Sequence, residues 1–275
     1  MENVIFSLRD ICYSYLGKYP ALQGVSISIE RGQKIAVVGA NGSGKSTLLH
    51  LLDALIFPDK GVIAAFGSEV TEDALGDREF SRNFRRRVGL VFQNPDIQLF
   101  CPTVKEDILF GPLQLGIERR VIDTRFERLM TILGIKDLLE RSPHQLSVGE
   151  KRKVAIASTL IMEPEVIILD EPTAGLDPLT TRHIIDLLVE ENRLGKTIIT
   201  STHDLHIVEE IADIVHVFGH KKEIVASGAA DAILKDTALL EANNLVHIHA
   251  HNHKGSIHVH PHEHPSHEHT HPSGH

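Results

Sequence analysis

The sequence predicts an α/β fold: strands alternating with helices in one core, with a smaller helical insertion. Three observations carry this. An apolar run leads into the glycine-rich segment GANGSGKS, Gly39 to Ser46, and a helical pattern follows it. A second apolar run, Val166 to Leu169, ends in the adjacent acids Asp170 and Glu171. The chain has 275 residues, 42% of them hydrophobic, enough for one sizeable core plus an insertion.

In chain order, Lys34-Ile-Ala-Val-Val38 reads as a buried strand and Thr47-Leu-Leu-His-Leu-Leu52 as a helix. Between them the pattern G-x-x-x-x-G-K-[ST] is met by Gly39, Gly44, Lys45 and Ser46, with Asn41, Gly42, Ser43 and Thr47 completing the loop. Strand, loop and helix together are the context that makes this a phosphate site. Glycines let backbone N–H groups close on phosphate oxygens, and the helix N-terminus favours an anion. Lys45 is expected to reach the β- and γ-phosphates and the Ser46 hydroxyl to ligate Mg²⁺. Arg85, Arg86 and Arg87 read as a solvated helix face. A helix is expected from about Glu150 to Met162. The next strand, Val166 to Leu169, places Asp170 at its end, where α/β sheets hold ligand groups, as a Mg²⁺-positioning carboxylate. Glu171, one residue on and pointing differently, is a candidate general base for an attacking water. His144 and His206 read as surface residues, and His216, within an apolar strand pattern, as a satisfied core histidine.

With these residues stands LSVGE, Leu146 to Glu150. Over roughly residues 3 to 230 the chain resembles the ATP-binding subunit of ABC transporters. LSVGE looks like the family signature, usually LSGGQ; Gln93 in VFQNPDIQLF looks like the Q-loop glutamine. Ala174 to Asp177, AGLD, looks like the D-loop, and His203 in TSTHD like the switch histidine. Tyr15 sits where the family keeps an aromatic that stacks on adenine. The resemblance implies a P-loop ABC ATPase core over residues 1–246, with an N-terminal antiparallel β subdomain and a helical insertion at about 94–142 that contacts a membrane partner. It also implies a head-to-tail dimer in which the phosphate loop of one subunit and Ser147 and Gly149 of the other clamp one ATP. Gln93 joins Ser46 and Asp170 around Mg²⁺, Glu171 and His203 act on the attacking water, and hydrolysis releases the dimer. Val148 and Glu150 depart from the pattern. An N–H survives at Val148, whereas Glu150 brings an acid near the triphosphate, although acids are favoured at helix starts.

Gln93 to Pro112 looks like the corresponding region of energy-coupling-factor ATPases, which implies a transmembrane coupling protein and a substrate-capturing membrane protein as partners. From His247 to His275 there are 12 histidines in 29 residues, mixed with Pro, Ser, Gly and Glu. This composition predicts a disordered tail. His247, His249, His251 and His253 alternate, as do His258, His260, His262 and His264, so each set shares a face in an extended chain. Imidazoles suit Ni²⁺, Co²⁺, Cu²⁺ and Zn²⁺ and are largely neutral at pH 7. A solubilising segment or a purification tag are the bland alternatives; tags are usually unbroken runs, and this segment is interspersed.

A formal charge of −9 leaves no nucleic-acid footprint. Two cysteines, Cys12 and Cys101, suit a reducing compartment. No apolar run approaches the ~18 residues of a membrane span, and no signal peptide is expected at the N-terminus. The expectation is a peripheral ATPase at the cytoplasmic face of the cell membrane, energising uptake of nickel or cobalt. A vitamin importer of the same type is the alternative. A nickel-insertion GTPase would need a guanine-reading N-K-x-D motif, which is absent. A soluble ABC ATPase acting on DNA or ribosomes would bring a long coiled coil or a second ATPase half, and neither is seen.

Overall fold

The computed structural model of the chain describes residues 3–253 and 256–262, with side chains through residue 246. Strands β1 (Val4–Tyr15) and β2 (Tyr19–Glu30) pair antiparallel, and from Val25 to Glu30 β2 alternates buried with exposed residues, the period of a sheet with one wet face. The run expected at 34–38 forms β3 (Lys34–Gly39), buried over its last five residues as a central parallel strand should be. Helix α1 (Lys45–Leu52) starts two residues earlier than the apolar pattern alone suggests. Strands β4 (Lys60–Ala65) and β5 (Ser68–Glu69) complete a four-stranded antiparallel sheet in the order β2-β1-β4-β5.

Two short helices, α2 (Glu72–Gly76) and α3 (Arg78–Arg87), lead to β6 (Val88–Val91). The arginine cluster at the end of α3 is not simply solvated. Arg85 donates to the Asp53 and Ala54 carbonyls, and Arg87 pairs with Glu165 while lying 3.5 Å over the Phe66 ring. Only Arg86 is exposed. Residues 94–142 contain α4 (Val104–Gln114), capped by a Thr103–Glu106 box, and α5 (Arg119–Leu133).

Helix α6 (Val148–Leu160) begins two residues before the expected Glu150, because Ser147 caps it. It shares one apolar cluster with α4, α5 and strand β7 (Val166–Asp170), through residues such as Ile108, Leu129, Ala155 and Leu169. Then come α7 (Pro178–Arg193), β8 (Thr197–Thr202), α8 (Leu205–Ile211), β9 (Ile214–Phe218) and β10 (Ile224–Ala229). The second sheet runs β10-β9-β3-β8-β7-β6, parallel except for the edge strand β10. Helices α9 (Ala230–Lys235) and α10 (Thr237–Ala242) follow.

Composition predicts disorder over residues 247–275, and within that stretch the described residues include two strands. β11 (His247–His253) and β12 (Ser256–His262) form an antiparallel ladder. The physical reason is visible in the sequence: Ile248 and Ala250, and Ile257 and Val259, alternate with the histidines at the period of a strand. Residues 263–275, His264 among them, lie outside the described residues. Among the described residues no helix is long and apolar enough to cross a membrane.

Candidate functional site

The glycine-rich loop joins β3 to α1, so its backbone is set by a buried strand behind and a helix N-terminus ahead. Gly42 and Gly44 have φ of 74° and 113°, values that L side chains rarely adopt. A Cβ on Gly44 would also lie 2.4 Å from the Ala21 carbonyl oxygen, so only glycine fits. No side chain caps α1, leaving its first amides to face the loop. The Ser43 hydroxyl is buried without a hydrogen-bond partner. An uncapped helix start and an orphaned buried hydroxyl fit a phosphate group. Lys45, 6% exposed, donates to the Gly39 carbonyl at 2.8 Å and the Ala40 carbonyl at 3.4 Å. Burial holds its ammonium pKa down, and Glu171 and Asp170 partly restore it.

The acids arrive from β7. Asp170 and Glu171 are both 5% exposed. Ser201 on β8 donates its hydroxyl to Asp170 Oδ1 and accepts the Glu171 amide at 3.1 Å. Glu171 has φ 46°, a left-handed conformation held by that amide bond and by a second one, to the Ser201 carbonyl. This turn out of the strand brings its carboxylate 3.8 Å from Lys45 Nζ and 2.9 Å from His203 Nδ1. The hydrogen bond to Glu171 raises the His203 pKa against the lowering effect of burial.

Tyr15, Asn41, Gly42, Gly44, Lys45, Ser46, Thr47, Gln93 and Glu171 line one cavity of about 450 Å³. The Tyr15 hydroxyl lies 3.1 Å from Thr47 Oγ1, and its ring is 42% exposed at the cavity edge. Ser46, Gln93 and Asp170 offer only oxygen ligands, the type Mg²⁺ takes. Four lining residues were not legible in motifs: Tyr19, Pro20, Ala21 and Lys222, the last on the β9–β10 turn and donating to the Gly42 carbonyl. Ser201 was missed too, although it stands two residues before His203.

Ser147 and Gly149 are elsewhere. With Val148, Glu150 and the D-loop residues Gly175, Leu176 and Asp177 they line a separate cavity of about 300 Å³ that shares no residue with the first. Here the Glu150 departure acquires a local role. Its carboxylate accepts the Ser147 amide at 2.7 Å while its own amide donates to Ser147 Oγ at 3.3 Å, a reciprocal capping box. Hydrogen bonding of its carboxylate to the Ser147 amide and side chain holds the Glu150 pKa down. The Val148 side chain is 57% exposed. Asp177 caps α7 by accepting the Thr180 amide at 2.9 Å. His216 is buried as expected but only half satisfied: Nδ1 lies 2.7 Å from Ser227 Oγ, and Nε2 has no partner. The side chains of His247, His249, His251, His253, His258, His260 and His262 lie outside the described part of the structure, as does all of His264.

The family described as ABC transporter matches residues 22–174, more than half of the chain. This chain belongs to that family. It is an ABC ATPase, working on ATP with Mg²⁺. It is 48% identical over 244 residues to the nickel import ATP-binding protein NikO of Rhodobacter capsulatus, covering 88% of this chain and 95% of that one. To the energy-coupling factor transporter ATP-binding protein EcfA of Methanoculleus marisnigri it is 42% identical over 245 residues, covering 88% and 85%. Among solved structures it resembles cbiO1 of Clostridium perfringens, described as part of the ABC transporter complex cbiONQ. The TM-score is 0.74 at 36% identity, over 89% of this chain and 96% of that one. The ABC ATPase is thus the architecture expected from its motifs, with an antiparallel sheet, a mostly parallel sheet and a helical layer.

Proposed function

We propose that this ABC ATPase energises import of a transition-metal ion, nickel or cobalt, through separate membrane subunits at the cytoplasmic face of the cell membrane. The observation that carries the import reading is the 48% identity to a protein named for nickel import, over nearly the whole of both chains. The tail supports the metal. The β11–β12 register pairs His247 with His262, His249 with His260 and His251 with His258. That register sets three histidines of β11 directly opposite three of β12 along the backbone ladder. Imidazole is a ligand that Ni²⁺ and Co²⁺ both accept, so the tail does not choose between them.

In the proposed cycle ATP lies with adenine on Tyr15 and its phosphates in the loop from Gly39 to Thr47. Lys45, now bonded to two loop carbonyls, turns its ammonium to the β- and γ-phosphates. Ser46, Gln93 and Asp170 would hold Mg²⁺, which when bound neutralises charge on the phosphate oxygens. Glu171 accepts the proton of the attacking water, and His203, held at 2.9 Å from Glu171, fixes water and γ-phosphate in line. Ser147 and Gly149 serve the nucleotide of a second copy, because within one chain they line a different cavity from the phosphate loop. A transmembrane coupling protein and a substrate-capturing membrane protein complete the importer, with no nucleic acid involved.

A vitamin importer of the same type is the second reading, favoured by the similarity to an energy-coupling factor ATPase whose name specifies no metal. Uptake of radiolabelled Ni²⁺ and Co²⁺ in cells carrying the whole transporter, wild type against Glu171→Gln, tests the choice. Loss of uptake of either ion in the variant supports the proposal. Undiminished uptake of both overturns the metal assignment and brings the vitamin reading forward.

A further inference from the structure

Arg152, on α6 one turn beyond the signature, is 2% exposed and among the largest fully buried side chains of the described chain. Its guanidinium donates to two successive carbonyls, Phe92 and Gln93, at 2.7 Å each. Its Nε is buried with no partner, and among the described residues it forms no ion pair with a carboxylate. A buried cation hydrogen-bonded only to neutral carbonyls, which Asp170 and Glu171 favour electrostatically without pairing with it, is an expensive way to satisfy a loop, and an apolar side chain of similar volume is often no less stable. Its presence therefore calls for a reason other than packing.

The geometry supplies one. Gln93 lines the phosphate-loop cavity, and gripping the carbonyls of residues 92 and 93 together fixes the backbone from which its side chain projects. A planar guanidinium suits such a two-point grip, because its donors sit in a rigid fork. Neighbouring bonds strengthen the attachment. Lys151 pairs with Asp96 at 2.6 Å, and Gln98 donates to the Ala155 carbonyl at 2.8 Å while accepting the Phe92 amide at 3.3 Å. The start of α6, where Ser147 caps the signature, lies only about one helical turn from Arg152.

We propose that Arg152 is a positioning residue that locks the backbone of Gln93 to the signature helix, so that the signature face and the Gln93 side chain of one chain move as a unit. Nucleotide held against the signature cavity thereby acts on Gln93 in the phosphate cavity of the same chain. This rests on the ATP-site reading given under the proposed function.

The test is a double-mutant cycle on the purified full chain: wild type, Arg152→Met, Gln93→Ala and both together, with kcat and KM for MgATP and the free Mg²⁺ giving half-maximal rate. Arg152→Met is expected to lower kcat about tenfold, with KM changed less than about threefold and more Mg²⁺ required. In the Gln93→Ala background the same substitution should change kcat less than about twofold, because the residue it acts through is gone. Arg152→Lys, which keeps the buried charge but lacks the rigid planar fork, should fall between. If Arg152→Met does not melt cooperatively, the cycle is run with Arg152→Lys. Equal fold losses in both backgrounds, or no loss in the wild-type background, overturn the proposal. Lys45→Ala separates the two levels: turnover that survives it overturns the ATP-site reading and this proposal with it. Turnover abolished by Lys45→Ala, together with additive effects of the Arg152 variants, overturns the Arg152 role alone.

Discussion

His216 makes this protein sensitive to mild acid by an amount the structure lets one work out. The residue lies on β9, opposite Val37 of β3 on one side and Ser227 of β10 on the other, and is 6% exposed. Protonation would put a cation there with no carboxylate partner, and burial pushes its pKa down to about 4. The ordinary value, about 6.5, applies once the chain unfolds, so the unfolded state takes up the proton first. The stability that comes from keeping this ring neutral is complete above about pH 6.5 and is lost as pH falls toward 4. The full gap corresponds to about 3 kcal/mol, and integration from pH 7 to pH 5 gives about 2 kcal/mol. Against a typical total of roughly 5–15 kcal/mol this is a measurable share. Urea unfolding of the full chain at pH 7, 6 and 5 reads it when wild type is compared with His216→Gln, which keeps a partner for Ser227 but does not titrate. The other histidines titrate in both chains and cancel in the difference. The wild type should lose about 2 kcal/mol relative to the variant between pH 7 and pH 5. A difference that stays constant with pH refutes the reasoning.

Tyr15→Ala should raise the KM for ATP about tenfold through lost ring stacking, with kcat held within about twofold; a steady-state titration checks both. Gly44→Ala places a methyl group 2.4 Å from the Ala21 carbonyl at a φ of 113°, so nucleotide binding followed by fluorescence should be lost along with a lowered melting temperature. Ser147→Ala removes one arm of the capping box of α6 and should cost about 1 kcal/mol. In a thermal melt that is about 2–4 °C for a chain of this size. His203→Gln should remove a stabilisation that is full below about pH 6.5 and lost as pH rises through the raised folded value, visible as a wild-type-minus-variant melting difference that shrinks with rising pH.

Most of the phosphate site was legible because its chemistry is local in sequence. Eight contiguous residues set the loop, and buried apolar runs announce the strands that carry Gly39 and Asp170. What stayed hidden comes from distant segments or from side chains acting on backbone. Lys222 reaches Gly42 across 180 residues, and Arg152 reads as one more charge on a basic helix start until its burial is seen. Glu150 shows the converse. As a departure from a signature it suggested interference with phosphate, yet the spacing Ser147-x-x-Glu150 is itself a capping-box pattern. The arginines of α3 looked solvated because sequence spacing does not show Asp53 or Glu165 coming to meet them. In the tail, composition argued for disorder while the alternation beneath it argued for strands, and the ladder follows the alternation.

The separation of the phosphate cavity from the signature cavity has a consequence for how turnover depends on dilution. If each nucleotide must be closed over by another copy, the rate per molecule is no constant of the chain but climbs with its concentration until pairing saturates. Below that point, dilution alone would idle the ATPase while leaving ATP bound. Membrane subunits that hold two copies side by side would then set the working rate simply by fixing the local concentration.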